Sequence, residues 1–177
     1  GFMTRGDFSN AEAYRTYAAR LRDVPRYFDQ QIDNMRAGLA RGFSVPRAVL
    51  DGRDVSIAAV AELDDPEDAA LWSPYERMPA SIPADEQEAL RAEGRAAIAE
   101  AVIPAFGKLL TFFREEYVPQ ARTTLAAEAM PGGEEFYRAQ IREYTTLDLT
   151  PRQIHDIGRE EVARIRAEMD EVIAGTG

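Results

Sequence analysis

The chain has 177 residues, 45% of them hydrophobic and 29% charged, which is ordinary globular usage, so a sizeable core can form and disorder is not the default. Its 31 Asp and Glu outnumber 21 Lys and Arg, for a formal net charge of -10; this speaks against nucleic acid or an anionic membrane as main partner and leaves a cationic or neutral one open. Without cysteine there is no disulfide framework, and the compartment, cytoplasmic or periplasmic, stays open.

No apolar run approaches the roughly 18 residues of a membrane helix, so no membrane span is expected, and no charged-then-apolar leader opens the chain. Gly1 and Phe2 stand ahead of Met3, as either an added remnant or an internal cut would leave them. Asn10 or Ser9 can cap a first helix whose stripe is Tyr14, Tyr17, Leu21 and Val24, continued after Pro25 by Phe28, Ile32, Met35 and Leu39. Pro25 removes a backbone bond and crowds the carbonyl of Leu21, so a kink or restart is expected there. Gly42 ends this piece. Ser44 and Pro46 then open a further predicted helix through Val49, Leu50, Ile57, Val60 and Leu63, with Gly52 a weak point, stopping at Asp64-Asp65-Pro66.

Residues 66 to 83 hold four prolines with Trp72, Tyr75 and Met78 among them. Such a stretch reads as an ordered loop whose aromatics pack back onto the helices; the alternative is that Trp72 and Tyr75 line a binding groove. Asp85 to Glu116 is the longest periodic segment, with Leu90, Ala97, Ile98, Val102, Phe106, Leu109 and Phe113 on a wide stripe that Pro104 should bend. A short helix is predicted over Ala121 to Ala129, before Pro131-Gly132-Gly133. The glycine pair is a poor anion cradle, because Glu134 and Glu135 already occupy the helix start.

The last two helices meet at a polar break. Phe136, Tyr137, Ile141 and Tyr144 recur at helical spacing before it; Ile154, Ile157, Val162, Ile165, Met169, Val172 and Ile173 trace an apolar stripe after it. Thr150 as N-cap, Pro151 at the first helical position and Gln153 completing a capping box specify the start of the final helix. His155, the single histidine, falls at the edge of the stripe and has no second ligand or catalytic partner in sequence reach. With no alternating β pattern, the fold class is all-α: an irregular multi-helix array with long, proline-kinked helices. One helical domain or fragment is expected, in four parts: residues 1–65, 66–83, 84–129 and 130–177.

The run from Met130 to Tyr137, Tyr144-Thr145-Thr146, and Leu149 to Gly158 followed by Glu161 to Ile165 resemble the bacterial family known as domain of unknown function 885. Val24 to Phe28, Pro74 to Pro79, Val102 to Pro104 and Tyr117 to Arg122 match it too. The resemblance implies a zincin-like, mainly helical metallopeptidase, and hence a part of a larger helical fold in which zinc serves the full-length protein. The family's His-Glu pair, its further histidines and its downstream glutamate have no counterpart here. The residues agree independently: a catalytic zinc needs about three protein ligands and an open position, which one His and no Cys cannot supply. No cofactor is expected in this chain.

Two readings follow. The chain is the non-catalytic helical portion of a peptidase, forming a wall of the substrate cleft and inactive alone, with the remainder of the parent protein or a second copy as partner and peptide as the full-length substrate. Alternatively it is a stand-alone helical module that binds a protein or peptide. A small acid/base enzyme is a weaker third, since its carboxylates fall mostly on solvated faces. No catalytic residue is assigned. The candidates for substrate contact are Tyr137, Tyr144, Thr145, Thr146 and His155, because the turn between the last two helices gathers hydroxyls and an imidazole; packing or capping is the competing role for each.

Overall fold

In the computed structural model, which describes residues 6–176, Asn10 caps helix α1 (Ala11–Arg22), its side chain accepting from the Ala13 N–H at 3.1 Å. Gly1, Phe2 and Met3, and the two origins considered for them, lie outside the described residues. Among those described, the regular elements are all helical. They fall into two compact units, Gly1–Thr123 and Thr124–Gly177.

In the first unit, α1 stops at Arg22 and α2 (Val24–Ala40) restarts at once with Pro25 in its first turn, which is the restart the proline dictates. Tyr14, Tyr17, Leu21 and Val24 of the expected stripe are all buried. The predicted helix from Ser44 to Leu63, however, is two pieces: a 3-10 turn Arg47–Val49 and α3 (Val55–Ala61). Gly52 separates them at φ 69°, a left-handed conformation that glycine adopts without steric cost. Ser44 is not a helix cap either. Its hydroxyl accepts from the Arg122 N–H at 2.9 Å and its carbonyl from Arg122 Nε at 3.0 Å, while the Arg47 N–H donates to the Arg122 carbonyl at 2.7 Å. These bonds hold residues 121–122 extended. The helix predicted over Ala121 to Ala129 is accordingly reduced to a 3-10 turn, Ala127–Ala129.

The proline-rich stretch is ordered, with two 3-10 turns and the short helix α4 (Ser73–Glu76). Trp72 and Tyr75 are buried core anchors, not groove residues. The Trp72 and Tyr75 rings stack at 4.9 Å, and Tyr75 meets Tyr14 at 5.4 Å and Tyr17 at 5.9 Å. Gly94 makes room for this cluster, since a Cβ there would overlap Cζ and both Cε atoms of Tyr75. Two hydroxyls in the cluster are satisfied: Tyr17 donates to the Leu71 carbonyl at 2.7 Å and Tyr14 to that of Pro74 at 3.2 Å. The buried Tyr75 hydroxyl has no partner among the described residues.

Helices α5 (Ala84–Ala97), α6 (Ile103–Thr111) and α7 (Val118–Gln120) are joined by π-helical turns, Ile98–Val102 and Phe112–Tyr117, into one long element. Pro104 sits in the first turn of α6, directly after a π turn that opens the regular ladder. Arg15–Glu86 (2.6 Å) and Arg22–Glu93 (2.8 Å) advance together along α1 and α5, as do Asp29–Lys108 (2.6 Å) and Arg36–Glu116 (2.7 Å) farther on. The paired helices therefore run in the same direction. Arg36 holds Glu116 bidentately and Arg114 bonds Asp54, so both carboxyl groups sit below the usual carboxylate range.

The element Ala84–Gln120, although broken by charges and without a long uninterrupted apolar run, is long and apolar enough to cross a membrane by length and composition only, with a mean hydropathy of 1.6 in its best window. That window is 44% buried inside the protein. Glu100 and Lys108 still fall within the stretch, and Lys108 is paired with Asp29, so it reads as the core helix of this unit.

Two outcomes test the aromatic cluster. Tyr17→Phe should cost about 1 kcal/mol by stranding the Leu71 carbonyl, whereas Tyr75→Phe should be neutral or stabilising because no bond is lost; urea midpoints followed by Trp72 fluorescence compare them. Burial also pushes the Tyr17 phenol up to about 12, and raises Tyr14 and Tyr75 in the same direction. Unfolded tyrosine ionises near 10, so this stability is intact below that pH and is lost as pH rises toward 12. A fall on the order of 2 kcal/mol from the Tyr17 shift is expected across that interval, and an unchanged urea midpoint there would refute it.

Candidate functional site

The second unit is built from the 3-10 turn Ala127–Ala129, α8 (Gly133–Thr145) and α9 (Pro151–Gly175). Gly133 lies against the turn so closely that a Cβ would collide with the Ala127 carbonyl, whereas Gly132 has open space around it and is there for its left-handed φ of 66°. The start of α9 is specified as its residues suggest. The Gln153 N–H donates to Thr150 Oγ1 at 3.2 Å, and the Thr150 N–H donates to Gln153 Oε1 at 2.8 Å, with Pro151 in the first turn.

Between these elements lies an open hollow of about 900 Å³. Glu128, Glu134, Tyr137, Arg152, His155 and Asp156 line it, together with the N-cap Thr150. Of the five candidate contact residues, the structure thus brings Tyr137 and His155 to one place. Tyr144 does not reach that lining and is 81% exposed. The two threonine hydroxyls shape the turn: Thr145 Oγ1 donates to the Ile141 carbonyl at 2.6 Å and accepts from the Leu147 N–H at 3.2 Å, while Thr146 Oγ1 donates to the Thr145 carbonyl at 2.6 Å. Thr146 ends α8 at φ 60°, a left-handed conformation costly for a β-branched residue.

The acidic and basic members of the hollow were not singled out by periodicity, since charges beside an apolar stripe ordinarily mark a solvated face. Only the spacing of Arg152, His155, Asp156 and Arg159 about one helical face could have pointed to them. Phe136, Tyr137 and Tyr144 differ from the expected apolar packing as well: all three are exposed, and Ile141 is the buried side chain of that set. As for zinc, the donor set does not fit. His155 is the single imidazole, there is no thiolate, and no group of three or more His, Asp or Glu is placed to hold a metal among the described residues. The mixed charges of the hollow can orient a polar chain such as a peptide backbone.

The family model described as "Bacterial protein of unknown function (DUF885)" matches residues 1–177, the whole chain. The chain belongs to that family. Its fold is similar to the crystal structure of "the putative lipoprotein from Colwellia psychrerythraea", at 22% sequence identity and a TM-score of 0.74. The likeness covers 99% of this DUF885 chain and 30% of that one, so the chain spans less than a third of the solved protein's length. At this identity the likeness speaks to fold alone. No curated protein matches the chain.

Opposite signs are expected for two substitutions at the turn. Thr146→Gly should stabilise by about 1 kcal/mol, as the left-handed strain is relieved; Thr150→Ala should cost about 1 kcal/mol through loss of the cap. Amide exchange over the last turn of α8 and the first of α9 distinguishes the two, and the same direction of change for both would contradict the geometry.

Proposed function

We propose that this chain is the non-catalytic helical portion of a longer, peptide-bond-hydrolysing family member, that it forms a wall of the substrate cleft, and that it is inactive alone. One observation carries this reading. The apolar stripe of α9 is uncovered, with Ile157 49%, Val162 51%, Ile165 45% and Met169 56% exposed, and an isolated helical unit that completed its own core would bury such a stripe. Two further features support it. The chain corresponds to 30% of a solved protein of like fold, and its one histidine and lack of cysteine fall short of the usual zinc donor set. The zinc that the family resemblance implies would then be held outside these residues, and the chain contributes binding and not chemistry.

Within that wall, Tyr137 and His155 are the side chains proposed to meet peptide, since they share one hollow. The Tyr137 phenol and the His155 ring can donate to or accept from a peptide backbone. Tyr144, Thr145 and Thr146 belong to the same proposal at the rim, with the two threonines acting through the turn that they shape. The uncovered stripe also favours a second reading, a stand-alone helical module that binds a partner helix in its groove.

Metal analysis and kinetics separate these readings. The purified 177-residue chain should retain no stoichiometric zinc and cleave no peptide, while the full-length gene product should cleave peptides in a chelator-sensitive way. In that product, His155→Ala and Tyr137→Phe should raise KM about 3- to 10-fold with kcat little changed, as loss of uniform binding does. Tight one-to-one zinc in the short chain sinks the reading, and unchanged KM in both variants removes the wall from the cleft.

A further inference from the structure

The exposed stripe of α9 is bordered by edges of opposite charge. Along one edge run His155, Arg159 and Arg166, beside Val162, Met169 and Ile173; along the other run Glu161 and Glu168, beside Ile154, Ile157 and Val172. The acidic edge is already neutralised, because Arg164 bonds Glu161 at 2.7 Å and Glu168 at 2.6 Å. The guanidinium groups of Arg159 and Arg166 make no hydrogen bond or ion pair among the described residues. They frame a shallow hollow with His155, Gly158, Val162 and one carboxylate, Asp170, whose lining comes wholly from α9, so it is an open helix face, basic on balance, and not a closed pocket. An apolar stripe with two unpaired guanidinium groups along one border is half of an interface whose other half is apolar with carboxylates at the matching border.

We infer that the occupant of this face is an amphipathic segment of the longer protein, lying outside residues 1–177, with Asp or Glu side chains set against Arg159 and Arg166. This rests on the reading of the chain as part of a longer protein, which its 30% coverage of the solved relative supports. Charge complementarity argues against the simplest alternative. A second copy docked antiparallel about a two-fold axis would bring the Arg159 and Arg166 edge against itself, which is repulsive at that border, while the Glu161 and Glu168 edge, already paired with Arg164, would gain nothing. A parallel copy avoids that clash and is separated by the test.

The test uses the complete gene product containing these residues, with a photo-reactive benzophenone amino acid in place of Ile165 and, as a second site, Val172. The expected cross-link joins α9 to a segment outside residues 1–177 of the same polypeptide, with carboxylates in the captured peptide. In an equal mixture of isotopically heavy and light protein, no heavy–light pairs should form. For the unlabelled wild type, amide exchange along α9 should be at least about tenfold slower in the complete product than in the 177-residue chain. Arg159→Glu with Arg166→Glu should recover about tenfold of that difference in the complete product and leave the short chain unchanged.

Heavy–light cross-links between α9 helices, a complete product with no further segment, or equal exchange in both forms would each overturn the inference. A complete product that cleaves no peptide yet gives the expected cross-link leaves the inference standing and sinks the peptidase reading. Peptide cleavage without the cross-link does the reverse.

Discussion

The fold of the first unit depends on a missing side chain. Because Gly94 has no Cβ, the Tyr75 ring can lie flat against the long helix, and from that position it gathers Trp72, Tyr14 and Tyr17 around itself. Each ring removes a large apolar area from water, and tilted or stacked neighbours add about 0.5–1.5 kcal/mol per pair beyond that burial. The loop between residues 66 and 83 is therefore fastened by its aromatics, and α1 is aligned on α5 by the same contacts. The ion pairs outside the cluster follow this alignment; exposed pairs of that kind are worth little by themselves and could not impose it.

Much of this was legible in the sequence, and the reasons are local. Asn10, Pro25, Thr150 and Gln153 carry their positions in their own chemistry: each satisfies or removes a particular backbone group, and that demand is independent of what packs later. The stripe Tyr14, Tyr17, Leu21 and Val24 was readable for a similar reason, since all four residues enter one core cluster. The region from Ser44 to Leu63 was not, because its apolar spacing is helical while Gly52 turns left-handed. The bonds that stretch residues 121–122 come from Ser44 and Arg47, more than seventy positions away in sequence. Periodicity within a window holds no trace of such a partner.

The candidate site divides in the same way. Tyr137 and His155 converge because α8 and α9 are joined by a short turn, and the residues of that turn were evident as caps and hydroxyls. The carboxylates and guanidinium groups around them were hidden in plain view as ordinary surface charge. The exposed apolar stripe contrasts with the filled core of the first unit, where the largest buried side chains, Tyr14, Tyr17 and Tyr75, are gathered. That difference, and not any catalytic constellation, is what gives the second unit its functional interest.

The two π turns in the long helix have a consequence of their own. Each widened turn accommodates one residue more than the α-helical count, which rephases everything downstream by about 100°. Ile98 and Val102 are buried in the first such turn, and Phe112 in the second. A single rod can thereby serve α1 with one side and, a few turns on, address α2 and α3 with sides that a uniform helix would have pointed elsewhere. Deleting one residue from either turn would leave a perfectly good helix with the wrong azimuth.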